Sequence, residues 1–247
     1  MLVAAAVCPC PPLLVPEVAA GAAPELDAAR TACLDALGVL AAARPDLLVV
    51  VGPVGEEGRG RHLEGAAGSF RGFGVDLDVR LGTAPVTGPV GEESAPDAAS
   101  RPLPFSLAVG AWLLDRARWA GAPVEGLGVA ETLSGERCAE AGRELAAGAD
   151  RVALLVMGDG SACRTLKAPG YLDERAAEFD ARTAAALGAA DLTVLRALGR
   201  PLAYELKASG RAPWQVLAGA AEGAGLGGRL LYEDAPYGVG YTVAAWS

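Results

Sequence analysis

Three apolar runs, each cut off by glycine or proline, constrain this chain most. Leu47–Val51 and Val152–Met157 are unbroken runs of aliphatic residues, and Leu2–Val7 is another. A strand with one wet face alternates apolar and polar residues, so a continuous run marks a strand covered on both faces. Such strands need helices on each side of their sheet, and helical spacing appears between them. After Pro24 and Glu25, the residues Leu26, Cys33, Leu37 and Leu40 share one helical face, and Pro45 closes it. Leu107–Trp119, Glu174–Leu187, Leu192–Leu198 and Leu202–Ala208 read as further helices. Ser134 is placed to cap a helix after the strand Val124–Ala130. Trp214–Ala218 and Val239–Ala245 read as the last strands, Val75–Leu81 as a half-exposed strand, and Gly55–Gly68 as a long polar loop. Residues 82–104, rich in proline, glycine and acid, carry the weakest structural signal. The alternation predicts a three-layer α/β/α fold around a largely parallel or mixed sheet. No internal repeat or dividing linker is evident, so residues 1–247 read as one domain.

The formal net charge of -9 disfavours nucleic acid and anionic membranes as partners, since both call for clustered Lys and Arg. Arg59 and Arg61 are separated by glycine and followed by Glu64, so they make no basic stripe. No apolar run reaches the ~20 residues of a membrane helix. Met1–Val7 lacks a basic lead and is interrupted by Cys8–Pro12, which argues against a signal peptide. A cytoplasmic location is the expectation. Cys8, Cys10, Cys33, Cys138 and Cys163 are odd in number and scattered, so a disulfide framework is not expected.

In α/β sheets, ligands sit beyond the carboxyl ends of the strands. Three of those ends here carry unusual residues: Cys8–Pro12, Gly52–Glu57 and Gly158–Cys163. The first continues as Pro9-Cys10-Pro11-Pro12-Leu13-Leu14-Val15-Pro16-Glu17. It resembles the Pro-His-Pro-Pro, apolar run, Pro-Glu opening of the class III extradiol ring-cleavage dioxygenases, in their subunit-B-like and Memo-like branches. Gly52-Pro53-Val54 resembles that family's Ser-Pro-His, and Gly158-Asp159-Gly160-Ser161-Ala162 its Gly-Asp-Leu-Ser-His loop. Ala168-Pro169-Gly170-Tyr171 and Glu178-Phe179-Asp180 continue the likeness, and the segment Tyr232–Tyr241 resembles a Tyr-Glu-x-Pro-Phe-Gly-Val-Gly-Tyr motif. The resemblance runs from residue 1 to residue 247 and implies the dioxygenase fold.

The resemblance also implies a non-haem iron held by two histidines and a glutamate, with a further histidine as acid/base, because imidazole and carboxylate suit Fe(II) and leave positions open for catechol and O₂. Here the iron-ligand histidine positions are Cys10 and Val54, and the acid/base position is Ala162. Only Glu233 matches a ligand. Valine and alanine have no lone pair to donate and no proton to shuttle. The chain contains a single histidine, His62, so in any register two histidine ligands and a histidine base cannot all be present.

Other residues admit two readings each. Cys8-Pro9-Cys10 could hold a soft metal such as Zn²⁺ or Cu(I), or be two packed thiols. His62 could swing in for the missing ligand at Val54, completing a Cys10, His62 and Glu233 set, or be a solvated loop histidine. Asp159 could accept a ligand's hydrogen bonds, or be a turn aspartate that bonds its own backbone. Glu233 reads as an orphaned ligand, an ion-pair partner or a solvated acid. Gly158-x-Gly160 lacks the third glycine of a dinucleotide loop, and Ser161 beside Cys163 lacks the G-x-S-x-G frame of a nucleophile elbow. Trp112 and Trp119 read as packing on one helix face.

The leading expectation is therefore a dioxygenase-fold pseudoenzyme without ring-cleavage activity. It would bind a small molecule in the former iron pocket or act as an interaction module, with no cofactor. The rival is an altered enzyme, with Fe(II) or Zn on Cys10, His62 and Glu233, or with Asp159 and Glu233 as metal-free catalytic groups. A third reading is a structural subunit of a homo- or hetero-oligomer.

Overall fold

The computed structural model describes residues 1–82 and 101–247, so most of the weakly patterned 82–104 segment lies outside the described residues. The strands are β1 (Leu2–Cys8), β2 (Leu47–Val54), β3 (Gly60–His62), β4 (Ala67–Ser69), β5 (Asp78–Arg80), β6 (Val124–Ala130), β7 (Val152–Met157), β8 (Gly228–Asp234) and β9 (Tyr241–Trp246). The α-helices are α1 (Pro16–Ala19), α2 (Asp27–Ala42), α3 (Phe105–Arg116), α4 (Gly135–Ala146), α5 (Arg175–Ala189), α6 (Leu192–Arg196), α7 (Arg200–Glu205) and α8 (Arg211–Ala220). Ser134 caps α4, its hydroxyl accepting the Arg137 amide at 3.4 Å.

Seven strands form one mixed sheet in the order β3-β6-β2-β7-β1-β9-β8, while β4 and β5 make a separate ribbon. The centre, β6-β2-β7-β1, is parallel; β3 and β9 run antiparallel to it at either side. Helices α2 and α3 cover one face with Leu37, Leu40, Leu107 and Leu113. Helices α4, α5 and α8 cover the other with Leu145, Leu187, Trp214 and Leu217. This is the expected three-layer α/β/α fold. Both faces of β1, β2 and β7 are covered, which is why those strands are unbroken apolar runs in sequence.

Four sequence expectations are corrected. Trp214–Ala218 is not a strand but part of α8, every residue of which is buried. A short apolar run cannot distinguish a buried strand from a helix hidden on all sides. Helix α8 is wedged between the sheet and α4, where Gly142 and Gly219 allow close approach: a Cβ on them would lie 2.0 Å from the Val216 oxygen and 2.2 Å from the Ala139 oxygen. Strand β2 does not stop at Gly52-Pro53 but runs on to Val54 against β6. Its pairing with β7 ends at Val51, so Pro53, which has no amide hydrogen, lies past that ladder. The supposed loop 55–68 contains the edge strand β3. Residues 228–234, to which the sequence reading gave no strand, form β8, an extra edge strand, so Glu233 precedes the last strand β9 but is itself part of the sheet.

Candidate functional site

The sheet registers, carried two or three residues past the paired strand ends, align one residue per strand along the carboxyl edge. Cys8 pairs with Met157, so Cys10 is level with Asp159; Val51 pairs with Val156, so Val54 is level with Asp159 too. Val7 pairs with Ala244, which sets Tyr241 opposite Cys10, and Asp234 pairs with Tyr241 directly. The row is Val54, Asp159, Cys10, Tyr241, Asp234. Side-chain alternation turns all five toward the α2 and α3 face, the face to which Cys8, Cys10, Met157 and Val243 belong. Neighbouring strands are ~4.8 Å apart, so Asp159 and Tyr241 flank Cys10 at close range.

Contacts confirm the Asp159–Cys10 step. The Cys10 amide donates to Asp159 Oδ1 at 2.8 Å, and its thiol stands 4.0 Å from Oδ2. Asp159 thus bonds a neighbouring strand end rather than its own turn. Its backbone is pinned as well, since the Gly210 amide donates to its carbonyl at 2.8 Å and its own amide donates to Ser209 Oγ at 3.2 Å. Burial disfavours the charged carboxylate and pushes the Asp159 pKa up to about 7, although the Cys10 amide bond pulls the other way. Burial, with the negative charges of Asp159 and Glu131, pushes the Cys10 thiol well above its usual range. Tyr241 is 2% exposed. Burial, and then Asp159 and Cys10, hold its hydroxyl firmly protonated. Tyr232, beside Asp234, is pushed up to about 12 by burial and by that carboxylate.

A second buried acid braces the loop that carries Asp159. Asp180 accepts the Ser161 amide at 2.7 Å, the Ser161 hydroxyl at 2.7 Å and Arg164 Nη1 at 3.1 Å. Gly160 and Gly240 exchange no side chains there: the Gly160 amide donates to the Gly240 carbonyl at 2.7 Å, and a Cβ on either residue would press on the Asp180 carboxylate. Ser161 is therefore a buried structural hydroxyl tied to Asp180.

The other proposed ligands lie elsewhere. His62 is fully buried in β3, where Nε2 donates to the Gly58 carbonyl at 3.1 Å. Burial lowers its pKa, the Gly58 bond opposes this and Arg101 adds to the lowering. It is neither solvated nor free to swing. It pairs with Gly126, level with Val50, and so sits two strands across and four residues below Val54. Glu233 is exposed on β8, at the opposite sheet edge from β3. Six inter-strand steps put the two on the order of 29 Å apart. A bulge between Leu230 and Tyr232 matters here, because it leaves Tyr232 opposite Val243 but Glu233 opposite Thr242. Glu233 consequently points to the α5 face, away from Cys10. Ala162 lies past this row, its amide donating to the carbonyl of Leu206 at the end of α7, at 2.9 Å.

The Cys10, His62 and Glu233 set therefore cannot share one ion, and Asp159 and Glu233 do not face each other. Among the described residues no three His, Cys, Asp or Glu side chains gather as a metal site. The residues do not fit the iron that the resemblance implies: Val54 and Ala162 have no donor atom, Cys10 is a protonated thiol, and Glu233 is on the other face. All five cysteines are free and buried. Tyr241 and Asp234 are the site residues that sequence reasoning missed. Their signal was present in the Tyr232–Tyr241 motif, but only the strand pairing shows that Tyr241 and Asp234, rather than Glu233, face Cys10.

Fold and site together define a three-layer α/β protein with a mixed seven-stranded sheet and a polar row at the carboxyl edge of its parallel centre. No protein-family model matches the chain, and no curated protein matches it. Among solved structures it is similar to the uncharacterized protein JW3007 from Escherichia coli K12, with 16% identity and a TM-score of 0.53 over 99% of each chain. That likeness carries the fold alone. Among the described residues no helix is long and apolar enough to cross a membrane.

Proposed function

We propose that this chain is an extradiol-dioxygenase-like scaffold that does not cleave rings and instead binds a small molecule at the carboxyl edge of its sheet, beside Cys10 and Asp159. One observation carries the reading. At the level where the resemblance puts iron ligands, the strand ends present Val54 and Cys10, and the Cys10 amide is bonded to a partly buried carboxylate. A donor-poor row of this kind suits hydrogen bonding to an organic ligand better than metal coordination. The test is metal retention and oxygen uptake on protein prepared without a histidine tag. The expected result is that Fe(II) is held no better than by a Glu233→Ala variant, and that catechol and protocatechuate drive no oxygen uptake above the blank. Stoichiometric iron that survives desalting and is lost in the variant overturns the reading.

A second reading is favoured by Asp159 itself. A carboxyl with a pKa of about 7 can give or take a proton at neutral pH, so the row could support metal-free acid/base chemistry on the bound molecule. A turnover that follows the ionisation of Asp159 and disappears in Asp159→Asn would select it.

A further inference from the structure

The row has a charge character that points to a class of ligand. The ionisable groups among the described residues that act on Cys10 and Tyr241 are acidic: Asp159 and Glu131 on the thiol, and Asp159, Cys10, Tyr237 and Tyr232 on the phenol. Among the described residues, Asp159 and Asp234 have no Lys or Arg ion-pair partner, although many other acids of this chain do, and Glu131 has the Arg211 guanidinium beside it, bonded to its backbone carbonyl. Asp234 is occupied locally, accepting the Ala235 amide at 2.7 Å and the Tyr232 hydroxyl at 3.4 Å. Asp159 differs. Oδ1 takes the Cys10 amide, while Oδ2 meets only the weak Cys10 thiol at 4.0 Å, so its second oxygen is available. Independently, the Tyr241 side chain is more than nine-tenths buried in the same row, and its hydroxyl has no hydrogen-bond partner among the described residues. A hydroxyl that no described protein group completes is a ready hydrogen-bond partner for a ligand.

We propose that the Asp159, Cys10 and Tyr241 row is the recognition site for a small organic cation whose ammonium group bonds Asp159 Oδ2 and whose polar or aromatic part meets the Tyr241 hydroxyl. This rests on the reading of the carboxyl edge as a ligand site and names its substrate class. An ammonium supplies the positive charge that no Lys or Arg among the described residues brings to Asp159, and its N–H groups match the free carboxylate oxygen. A carboxylate or phosphate ligand would meet Asp159, Glu131 and Asp234 as like charges. Tyrosine faces near a cation add a cation–π attraction.

The test uses benzylamine, benzyl alcohol and benzoate, which share a ring and differ in charge, titrated at physiological salt and pH 8 into the full chain. The Cys10 amide resonance is the reporter, because its proton is bonded to Asp159. Benzylamine is expected to shift that resonance and to bind about ten-fold or more tightly than benzyl alcohol, with benzoate weakest. Asp159→Asn, which keeps an acceptor for the Cys10 amide, should reduce the amine preference to near parity, and Tyr241→Phe should weaken benzylamine by about three- to ten-fold. Alcohol or benzoate binding as well as the amine at this resonance overturns the cation assignment and leaves the ligand-site reading standing. If none of the three perturbs Cys10, both fall. An amine preference that survives unchanged in Asp159→Asn and Tyr241→Phe also overturns the assignment.

Discussion

Replacing Asp159 with asparagine should change the pH dependence of stability in a calculable way. In the folded protein burial raises this carboxyl from 3.8 to about 7. The unfolded chain has no such burial, so its Asp159 ionises near 3.8. Below 3.8 the group is neutral in both states and has no effect. As pH rises from 3.8 to about 7, the unfolded state loses its proton freely while the folded state resists, so wild-type stability falls. Above about 7 both states are charged and the loss levels off. At ~1.36 kcal/mol per pH unit the full loss is ~4 kcal/mol. Because Asp159 is only partly buried, solvent screening trims this toward ~2 kcal/mol. Asparagine cannot ionise, yet it can still accept the Cys10 amide. Urea unfolding of both proteins at pH 4, 5, 6, 7 and 8 should therefore show the variant gaining on wild type by ~2–4 kcal/mol between pH 4 and pH 7, then running parallel. Two profiles that stay parallel from pH 4 to 8 refute the reasoning. So does a Cys10 amide resonance that titrates near pH 4 rather than near 7.

Three further outcomes are expected. Asp180→Ala strands the Ser161 amide and hydroxyl and leaves Arg164 without its acid, and should cost ~3 kcal/mol in urea unfolding. Asp180→Asn, which retains an acceptor, should cost clearly less. Gly142→Ala drives a Cβ to 2.0 Å from the Val216 oxygen at the α4–α8 crossing, and should cost ~3 kcal/mol, whereas Gly38→Ala, with open space on the solvent side of α2, should gain up to ~1 kcal/mol in the same assay. Replacing Cys8 and Cys10 with serine should leave zinc content by mass spectrometry unchanged, because both thiols are buried and held protonated, Cys8 chiefly by its bond to Cys33 and Cys10 chiefly by burial. Zinc present in the parent and lost in the double variant would contradict this.

The sequence alone determined the parallel centre of the sheet and the helices that cover it. Leu47–Val51 and Val152–Met157 could satisfy their backbones and their side chains only as strands buried on both faces. It also excluded a histidine iron site, because composition caps the number of ligands: with His62 alone, no register can assemble two imidazoles. Cys10, Val54 and Asp159 were legible as residues at strand ends, since glycine and proline mark where each strand breaks. What sits beside them was decided by tertiary structure. Trp214–Ala218 is apolar enough for either a strand or a helix, and only its burial between α4 and the sheet makes it α8. His62 looked like a loop residue because a three-residue edge strand leaves little periodicity to read; pairing with Gly126 sealed it into the core. Side-chain direction was the last unknown. One bulged residue in β8 turns Glu233 toward α5 and Asp234 toward Tyr241, and a two-fold side-chain period means that such a shift reverses every face beyond it. The sequence names both acids equally; only the paired strands decide which of them faces the site.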